Sequence, residues 1–426
     1  MIIITNRPQQ LCGELTVTGD KSITHRALIL GALAEGTTEI SGFLDADDCR
    51  STISCLQALG VQIDVQEQKL LVKGCAARFQ RPQGPLDAGN SGTTARLLLG
   101  VLAGQPFQAT LTGDSSLKRR PMKRVTKPLA LMGASFPGEN TTLPLNIQGG
   151  RLKAIEFQAP QASAQVKSAV LLAALNAEGE TTFEEPYLSR NHTELMLTDF
   201  GVDLQRQGSR VSLRGGQSLQ GHAVKVPGDL STAAFYIVAA AIVPGSEVLL
   251  RDVGVNPTRT GIIHVLQSMG ADLKLQHRRR WGNEPVADLL IRGGRRLNGL
   301  EIGGEMIPAL IDEIPILAVA ASLAHGKTMI SGAGELRVKE TDRLAAVADQ
   351  FARLGLNIEE KADGLIIEGN AKPAGAEVES LGDHRIAMAL AVAGLAAEGD
   401  TVINGAEAIK ISCPRFMQDL RSLLNS

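Results

Sequence analysis

The sequence predicts an α/β protein made of two similar globular domains, each containing three copies of a β-α-β-α-β-β repeat. The main observation is a helix rich in small apolar residues that ends near a Gly and is followed by a short strand. This pattern occurs six times, with the Gly at positions 36, 104, 179, 245, 326 and 399. A spacing of roughly 70 residues is too long for a solenoid repeat and fits a small subdomain of two helices and a few strands.

A second helix follows the strand in each repeat, and in five of the six repeats it ends at a Gly after Leu, Met or Phe. These ends are Gly60, Gly133, Gly201, Gly270 and Gly355. Gly just past a helix commonly adopts the left-handed conformation that closes the last turn. Alternating strand pairs follow, such as residues 61–74 and 356–369. Together these elements predict the second half of the repeat.

The chain termini indicate how the repeats are divided between domains. The sixth repeat ends with a helix at about residues 415–424 and has no strands after it, whereas residues 2–5 and 14–18 are strand-like and precede the first repeat. We therefore expect these N-terminal strands to complete the sixth repeat. Residues 20–227 would form one domain (domain II), and residues 1–19 with 228–426 would form the other (domain I). Two crossings would join them, with a ligand-binding cleft between the domains that can close.

Composition excludes several classes of function. The chain has 426 residues, with 43 basic and 45 acidic side chains, and aromatic residues make up 3%. This balance argues against a nucleic-acid partner. No apolar run reaches the ~18 residues of a membrane span, and no signal peptide precedes the first strand. The five cysteines lack metal-binding spacing, so we expect free thiols in a cytoplasmic protein without a metal.

Basic residues at the predicted helix starts are the unusual feature of the sequence. Helix N-termini favour anions, by about 0.3–1 kcal/mol each. Six cations nevertheless lie in or near first turns: Lys21, Arg119, Arg120, Lys123, Lys339 and Arg385. Free N–H groups and basic side chains together form an anion-binding site. We therefore expect one small polyanionic substrate, or two.

Each motif on its own also has an ordinary structural explanation. Lys21 and Arg26 could be solvated, residues 118–124 could form a solvated basic turn, and Glu340 with Arg343 could be a surface pair of i,i+3 spacing. The run of residues 277–281 is interpreted as a solvated hairpin loop. Asp312 is harder to explain in this way, because it precedes an apolar helix and is a candidate general base.

Seven motifs in this order identify a family. GDKSITHR, GNSGTTARL, KRRPM, SRNHTE, IDEIPILA, RVKETDRL and GDHRIAMAL resemble the motifs of the 5-enolpyruvylshikimate-3-phosphate synthases, over essentially the whole chain. The resemblance implies inside-out α/β barrel domains of the enolpyruvyl transferase type. It also implies transfer of the enolpyruvyl group of phosphoenolpyruvate to the 5-hydroxyl of shikimate 3-phosphate, with release of phosphate, in the shikimate pathway to chorismate and the aromatic amino acids. No cofactor or metal is implied, and the two small molecules are the expected partners of a monomeric enzyme.

The resemblance also implies roles for individual residues. The expected shikimate 3-phosphate contacts are Lys21, Ser22, Arg26, Ser163, Ala164, Gln165, Arg190, Asp312 and Lys339. The expected phosphoenolpyruvate contacts are Lys21, Asn90, Gly92, Arg120, Gln165, Arg343 and Arg385. Asp312 would be the base for the attacking hydroxyl, while Glu340 and Lys21 would carry the proton to and from the methylene carbon.

Some positions depart from the family pattern or bear on alternatives. Ile411 stands where some members have a Lys that touches phosphoenolpyruvate, with Lys410 adjacent, and Glu335 stands where others have Asn. Gly92 leaves room for the herbicide glyphosate, so we expect inhibition. Three alternatives remain: a UDP-N-acetylglucosamine enolpyruvyl transferase, which would have Cys or Asp at Ser115; an RNA 3′-phosphate cyclase relative; and an inactive anion-binding homologue.

Overall fold

The computed structural model describes residues 3–5, 10–138 and 141–424. Within these ranges the contacts divide the chain into two compact units. Unit 1 comprises Met1–Thr18, Pro227–Arg279 and Pro285–Ser426, and unit 2 comprises Gly19–Val226 and Arg280–Glu284. Each unit is described by itself below.

The helices and strands alternate along the chain, as an α/β fold requires. The α-helices of the described residues are α1 (Lys21–Leu33), α2 (Asp47–Ala58), α3 (Gly92–Ala103), α4 (Lys123–Met132), α5 (Ala164–Ala174), α6 (His192–Asp199), α7 (Leu230–Ile242), α8 (Gly261–Ser268), α9 (Ile314–Leu323), α10 (Arg343–Arg353), α11 (His384–Gly394) and α12 (Phe416–Leu424).

The strands of the described residues are β1 (Ile3–Thr5), β2 (Cys12–Thr16), β3 (Thr37–Ser41), β4 (Gln62–Val65), β5 (Lys69–Lys73), β6 (Leu86–Asp87), β7 (Gln108–Thr112), β8 (Leu145–Gln148), β9 (Leu152–Lys153), β10 (Glu156–Gln158), β11 (Ala177–Glu178), β12 (Glu180–Glu184), β13 (Leu204–Gln207), β14 (Arg210–Arg214), β15 (Ala223–Lys225), β16 (Glu247–Gly254), β17 (Asp272–Trp281), β18 (Glu284–Arg292), β19 (Glu301–Ile302), β20 (Lys327–Ile330), β21 (Ile358–Lys361), β22 (Gly364–Glu368), β23 (Glu377–Glu379) and β24 (Thr401–Asn404). The predicted α/β class is confirmed.

Unit 2 contains sheets of order β15-β3-β5-β4, β6-β7-β8 and β10-β12-β14-β13, and the short pair β11-β9. Unit 1 contains sheets of order β17-β18-β16-β2, β19-β20-β22-β21 and β1-β24-β23. In each of the six larger sheets, the strand that follows the first helix of a repeat has a parallel neighbour. For example, β7 pairs with β6, and β20 pairs with β19. The described strands therefore build the same β-α-β arrangement in each repeat.

The first helix of each repeat lies in the core of its unit, and the sheets lie outside it. Nearly every residue of α1, α3 and α5 is buried in unit 2, and the same holds for α7, α9 and α11 in unit 1. The second helices are amphipathic; α2, for instance, buries Asp48, Cys49, Thr52, Cys55 and Leu56 on one face. The helix starts that carry the sequence motifs therefore belong to elements fixed by packing on all sides.

The strands that precede α1 and α7 in sequence do not pair beside those helices. β2 precedes α1 but pairs in parallel with β16 of unit 1, while β15 precedes α7 but pairs in parallel with β3 of unit 2. β1 pairs with β24 of the sixth repeat, as expected; residue 2 of the predicted strand lies outside the described residues. The prediction that β2 completes the sixth repeat is wrong, because its hydrogen-bonding partner is the strand after α7.

The run of residues 277–281 is strand rather than loop. It forms the end of β17, which pairs with β18. Within unit 1, Arg279 Nη2 lies 2.8 Å from Asp288 Oδ1 and His277 Nδ1 lies 3.0 Å from Asp288 Oδ2. The loop interpretation is wrong because a carboxylate that is 3% exposed on the neighbouring strand binds these basic side chains.

None of the helices in the described part of the chain has the length and apolar character that a membrane crossing requires.

We expect Gly100→Ala to destabilise unit 2. A Cβ at Gly100 would lie 2.3 Å from the backbone oxygen of Ala169, because α3 and α5 cross closely there. Backbone cannot move aside as a flexible side chain can, so overpacking should cost about 1–3 kcal/mol. Urea unfolding measures the change, with Gly84→Ala as the control because nothing lies within 4 Å of a Cβ at Gly84. Equal stability of the two variants would contradict the close crossing.

Candidate active site

In unit 2, Lys21 begins α1 and is held by a carboxylate. Its Nζ lies 2.9 Å from Asp48 Oδ2, and the two side chains are 18% and 9% exposed. Asp20 caps the helix by accepting a hydrogen bond from the N–H of Ile23. Asp48 itself lies in the first turn of α2, where the helix dipole favours a negative charge. Lys21 is thus ion-paired and mostly shielded from solvent, so it is not a simple solvated lysine.

Asn90, Gly92 and Arg120 lie together at the start of α3. Arg120 Nη2 donates a 2.8 Å hydrogen bond to Asn90 Oδ1 and a 3.2 Å bond to Ser116 Oγ. A Cβ placed on Gly92 would lie 3.4 Å from Arg120 Nη1. Asn90 is held in turn by Asp114, whose Oδ2 accepts from Nδ2 at 2.6 Å. The structure therefore places a fixed guanidinium beside the first turn of a helix that has no acidic residue there.

Arg96 joins Gln165 to this group, and sequence reasoning missed it. Its Nη1 donates to Gln165 Oε1 at 2.7 Å and lies 2.8 Å from the Cβ position of Gly92. Gln165 also donates from Nε2 to Thr93 Oγ1 at 3.0 Å. Arg96 stands in the quoted GNSGTTARL motif, so the motif contained the signal although the prediction did not use it.

Arg26 lies on α1 and contacts α5 and α6. Arg26 donates to Thr193 Oγ1, to the Ser22 backbone oxygen and to Ser168 Oγ, at 2.7, 2.9 and 2.8 Å. Burial, and to a lesser extent the charge of Arg190, lowers the pKa of Arg26 to about 10, although Glu194 and Asp20 raise it, so the guanidinium remains protonated at neutral pH. Arg26 is 3% exposed, which makes it a buried cation behind the surface rather than a solvated one.

Ser163 and Ala164 form the start of α5. Ser163 caps the helix, its Oγ accepting from the N–H of Val166 at 3.5 Å, and Ala164 is the first helical residue. Because the Ser163 Oγ accepts this bond, its hydroxyl proton is left to donate to a ligand. No acidic residue lies in the first turn of α5, so this helix start suits an anion.

In unit 1, three cations surround Asp312. Its Oδ1 lies 3.3 Å from Arg343 Nη1 and 3.5 Å from Lys339 Nζ, and its Oδ2 lies 3.9 Å from Arg385 Nη2. Arg385 also donates to the Asp312 backbone oxygen at 3.0 Å. The alternative that Glu340 and Arg343 form a surface pair is wrong, because the Arg343 side chain is 1% exposed and the fold directs it toward Asp312.

Arg343 is the most buried member of this group, at 1% side-chain exposure. Its Nη2 lies 2.5 Å from Glu340 Oε2, and its Nε lies 2.8 Å from Asp383 Oδ2. Although burial lowers the pKa of Arg343, the carboxylates of Asp383, Glu340 and Asp312 outweigh it and raise the pKa overall. Asp383 also caps α11 by accepting from the N–H of Arg385 at 2.8 Å. The sequence alone does not show that Asp383 faces α10.

Glu313 supports the same group from behind. It is 1% exposed, accepts a hydrogen bond from Ser231 Oγ and lies 3.6 Å from Arg385 Nη1. Arg259 Nη2 donates to the same Ser231 Oγ at 2.6 Å. Glu335, the position at which other members have Asn, lies 3.9 Å from Lys339 Nζ through Oε1.

The residues expected from sequence thus form groups within each unit. In unit 1, the structure brings together Asp312, Lys339, Glu340, Arg343 and Arg385. In unit 2, it joins Asn90, Gly92, Arg120 and, through Arg96, Gln165. In chemical terms, the first group offers a carboxylate among cations and the second offers a guanidinium site for an anion. In the described part of the chain, no group of three or more His, Cys, Asp or Glu side chains is placed to hold a metal ion.

The family model of EPSP synthase (3-phosphoshikimate 1-carboxyvinyltransferase) matches residues 5–420. The chain belongs to the EPSP synthase family. It is 51% identical to the 3-phosphoshikimate 1-carboxyvinyltransferase of Desulforamulus reducens over 100% of both chains. It is 52% identical to that of Brevibacillus brevis over 96% of both. The solved EPSP synthase of Acinetobacter baumannii superposes with a TM-score of 0.89 at 44% identity and covers 99% of this chain and 98% of that one. The family predicted from the motifs is confirmed.

We expect His25 to make the stability of this EPSP synthase family member depend on pH. His25 is fully buried, with Nδ1 2.7 Å from Thr52 Oγ1, and burial, with the charges of Lys21 and Arg26, lowers its pKa well below 6.5. Below pH 6.5 the unfolded chain therefore binds a proton that the folded chain does not, so stability falls as pH falls, by about 2 kcal/mol from pH 6.5 to 5.

Chemical denaturation at a series of pH values measures this effect. His25→Gln should remove this part of the pH dependence, whereas His264→Gln, which changes an exposed imidazole on α8, should keep it. Identical slopes for wild type and His25→Gln would show that His25 does not carry the effect.

Proposed function

We propose that this protein catalyses transfer of the enolpyruvyl group of phosphoenolpyruvate to the 5-hydroxyl of shikimate 3-phosphate. The observation that carries the proposal is the carboxylate of Asp312, with Lys339, Arg343 and Arg385 around it. This group combines a proton acceptor with fixed positive charge, in a chain whose family is defined by that reaction. The alternatives, a UDP-N-acetylglucosamine enolpyruvyl transferase and an inactive anion-binding homologue, are not favoured by the family match.

In the proposed reaction, Asp312 accepts the proton of the 5-hydroxyl while the hydroxyl oxygen attacks C2 of phosphoenolpyruvate. The methylene carbon gains a proton from Glu340 or Lys21, which gives a tetrahedral intermediate. The C2–O bond to phosphate then breaks, a proton leaves the methyl carbon and inorganic phosphate is released. Fixed cations stabilise the negative charge of the leaving phosphate, and they need no reorganisation because other side chains already hold them.

The charge network explains how these cations can serve two anions. Arg343 is paired with Asp383 and Glu340, so it stays charged and oriented. Arg120 is oriented by Asn90 and Ser116 through one terminal nitrogen. We propose that Arg120, Arg343 and Arg385 bind phosphoenolpyruvate with Asn90 and Gly92. The shikimate 3-phosphate contacts would be Lys21, Ser22, Arg26, Ser163, Ala164, Gln165, Arg190, Asp312 and Lys339. The reaction then needs residues of both units.

We further propose that the enzyme is a cytoplasmic monomer. The cysteines at 12, 49, 55, 75 and 413 are all free thiols, as a reducing compartment would keep them. Sedimentation tests the monomer, and cell fractionation tests the compartment.

A phosphate-release assay with different acceptors tests the function. Purified protein with phosphoenolpyruvate should release phosphate when shikimate 3-phosphate is added, and should not when UDP-N-acetylglucosamine is added. Activity with the nucleotide sugar alone would establish the rival enolpyruvyl transferase. Binding of shikimate 3-phosphate without turnover would instead indicate an anion-binding protein.

Asp312→Asn should lower kcat by about 10²–10⁴-fold, which is the usual contribution of a positioned general base. The amide keeps the shape but cannot accept the hydroxyl proton, so KM for shikimate 3-phosphate should change much less than kcat. Steady-state phosphate release measures both constants, and Asp349→Asn, in an exposed pair 4.0 Å from Arg353, is the control. A large KM change at constant kcat would make Asp312 a binding residue only.

Gly92→Ala should weaken binding of phosphoenolpyruvate and of glyphosate. The added methyl carbon would lie 2.8 Å from Arg96 Nη1, so that guanidinium must shift, and it would be in van der Waals contact with Arg120 Nη1 at 3.4 Å. One methyl group in a pocket commonly changes binding by about tenfold or more. Inhibition curves measured at fixed phosphoenolpyruvate check this, with Gly150→Ala as the control because its Cβ would meet nothing within 4 Å. Unchanged glyphosate inhibition in Gly92→Ala would contradict the expectation.

A further inference from the structure

A buried carboxylate lies behind the segments that are expected to bind the phosphate of shikimate 3-phosphate. Glu185 follows β12 and is 2% exposed. Its Oε2 accepts a hydrogen bond from the Ser163 N–H at 3.1 Å. Its Oε1 accepts from both the N–H and the Oγ of Ser189, each at 2.8 Å. One side chain therefore joins the turn at the start of α5 to the segment that carries Arg190.

Lys167 keeps this carboxylate charged and in place. Its Nζ lies 2.7 Å from Glu185 Oε1 and 2.9 Å from Glu194 Oε1, and its side chain is 1% exposed. The same nitrogen donates to the Ser189 backbone oxygen at 3.4 Å. Burial lowers the pKa of Lys167, but Glu194 and Glu185 outweigh it, so the pKa is raised overall. Glu185, Glu194 and the Ser189 backbone oxygen surround the ammonium of Lys167 in the interior. Lys167 therefore contacts protein groups rather than a ligand.

The charges around this cluster suit a phosphate. Glu194 is the largest of the charges that raise the pKa of Arg26, while Arg190 lowers it, so these groups share one electrostatic environment. Asp20 and Glu284 also act on Arg26 and raise its pKa. Lys167, Arg26 and Arg190 supply the positive charges of this environment, and the start of α5 adds the positive end of its helix dipole. Without Lys167, the carboxylate of Glu185 would repel the phosphate it helps to bind.

We infer that Glu185 is a positioning residue for the phosphate of shikimate 3-phosphate. It sets the separation between the Ser163 turn and the Ser189–Arg190 segment, and Lys167 neutralises its charge. This inference rests on the proposed function. The geometry calls for a carboxylate because two segments need an acceptor at the same time, and a glutamine has only one acceptor oxygen.

Glu185→Gln tests the inference while leaving one buried ion pair of Lys167 in place. Lys167 remains paired with Glu194 at 2.9 Å, so the variant should fold. The amide of the new side chain must present an N–H to one of the two segments, so the hydrogen bond that this segment donates is lost. The matched control is Glu184→Gln, the preceding residue, whose carboxylate is 40% exposed and 3.7 Å from Arg210. Thermal denaturation of both variants reports whether each is folded.

We expect Glu185→Gln to raise the KM of shikimate 3-phosphate about tenfold or more, because a hydrogen bond to a charged group is lost. The KM of phosphoenolpyruvate and kcat should stay close to wild type, as should all constants of Glu184→Gln. Calorimetry should show a matching loss of affinity for shikimate 3-phosphate, while the weaker affinity for shikimate, which lacks the phosphate, is unchanged. Ser189→Ala should shift the same constants in the same direction by less.

Other outcomes would overturn the inference. Equal losses of affinity for shikimate and shikimate 3-phosphate, or equal increases of both KM values, would indicate a general structural role. The inference would also be overturned if a folded Glu185→Gln variant preferred shikimate 3-phosphate over shikimate as strongly as wild type does. If the proposed function is wrong, the result differs, because wild-type protein would not turn over shikimate 3-phosphate at all. Calorimetry with inorganic phosphate would still compare the phosphate affinities of wild type and Glu185→Gln.

Discussion

Positive charge buried at the starts of helices is the constraint on which the site depends. A helix N-terminus disfavours a cation, and burial adds a large desolvation cost, so such a charge persists only when a carboxylate is nearby. The structure provides one for three of the buried cations. Arg343 lies against Asp383, Lys21 against Asp48, and Lys167 against Glu185 and Glu194. These pairs hold the cations in fixed positions before any substrate arrives.

Burying the paired carboxylates costs desolvation free energy, but the pairs keep the side chains of the site oriented. Replacing a buried ion pair by apolar residues is often neutral or stabilising, so such pairs are weak evidence of a role in stability. Their placement here, next to Asp312 and to the start of α5, favours a role in orientation instead. Arg343 shows this most clearly, since three separate carboxylates contact one buried guanidinium.

The repeat architecture explains why the fold contains so many helix starts that carry polar groups. In each repeat the first helix is enclosed on all sides, so its ends, rather than its faces, carry the polar groups. The sheets bury one face each, as the alternation in β3 and β5 shows. The strands next to the chain crossings, β2 and β15, complete sheets in the unit that the chain is leaving. Each unit thereby obtains three complete β-α-β arrangements from the described residues.

The sequence by itself determined the repeats, the α/β class and the family, because Gly punctuation, apolar helices and charged helix starts are local patterns. Its motifs also named Asp312, Arg343 and Arg385 as candidate site residues, and the structure brings these three together. Only the tertiary structure decided which carboxylate meets which cation, because Lys21 and Asp48 are 27 residues apart and Arg343 and Asp383 are 40 apart. It also decided that β2 pairs with β16, since the pairing of Cys12 with Glu247 joins residues that are far apart in sequence and leaves no periodic trace in the chain. Local preferences set the elements, whereas desolvation of buried charge and hydrogen bonding between distant strands set their partners.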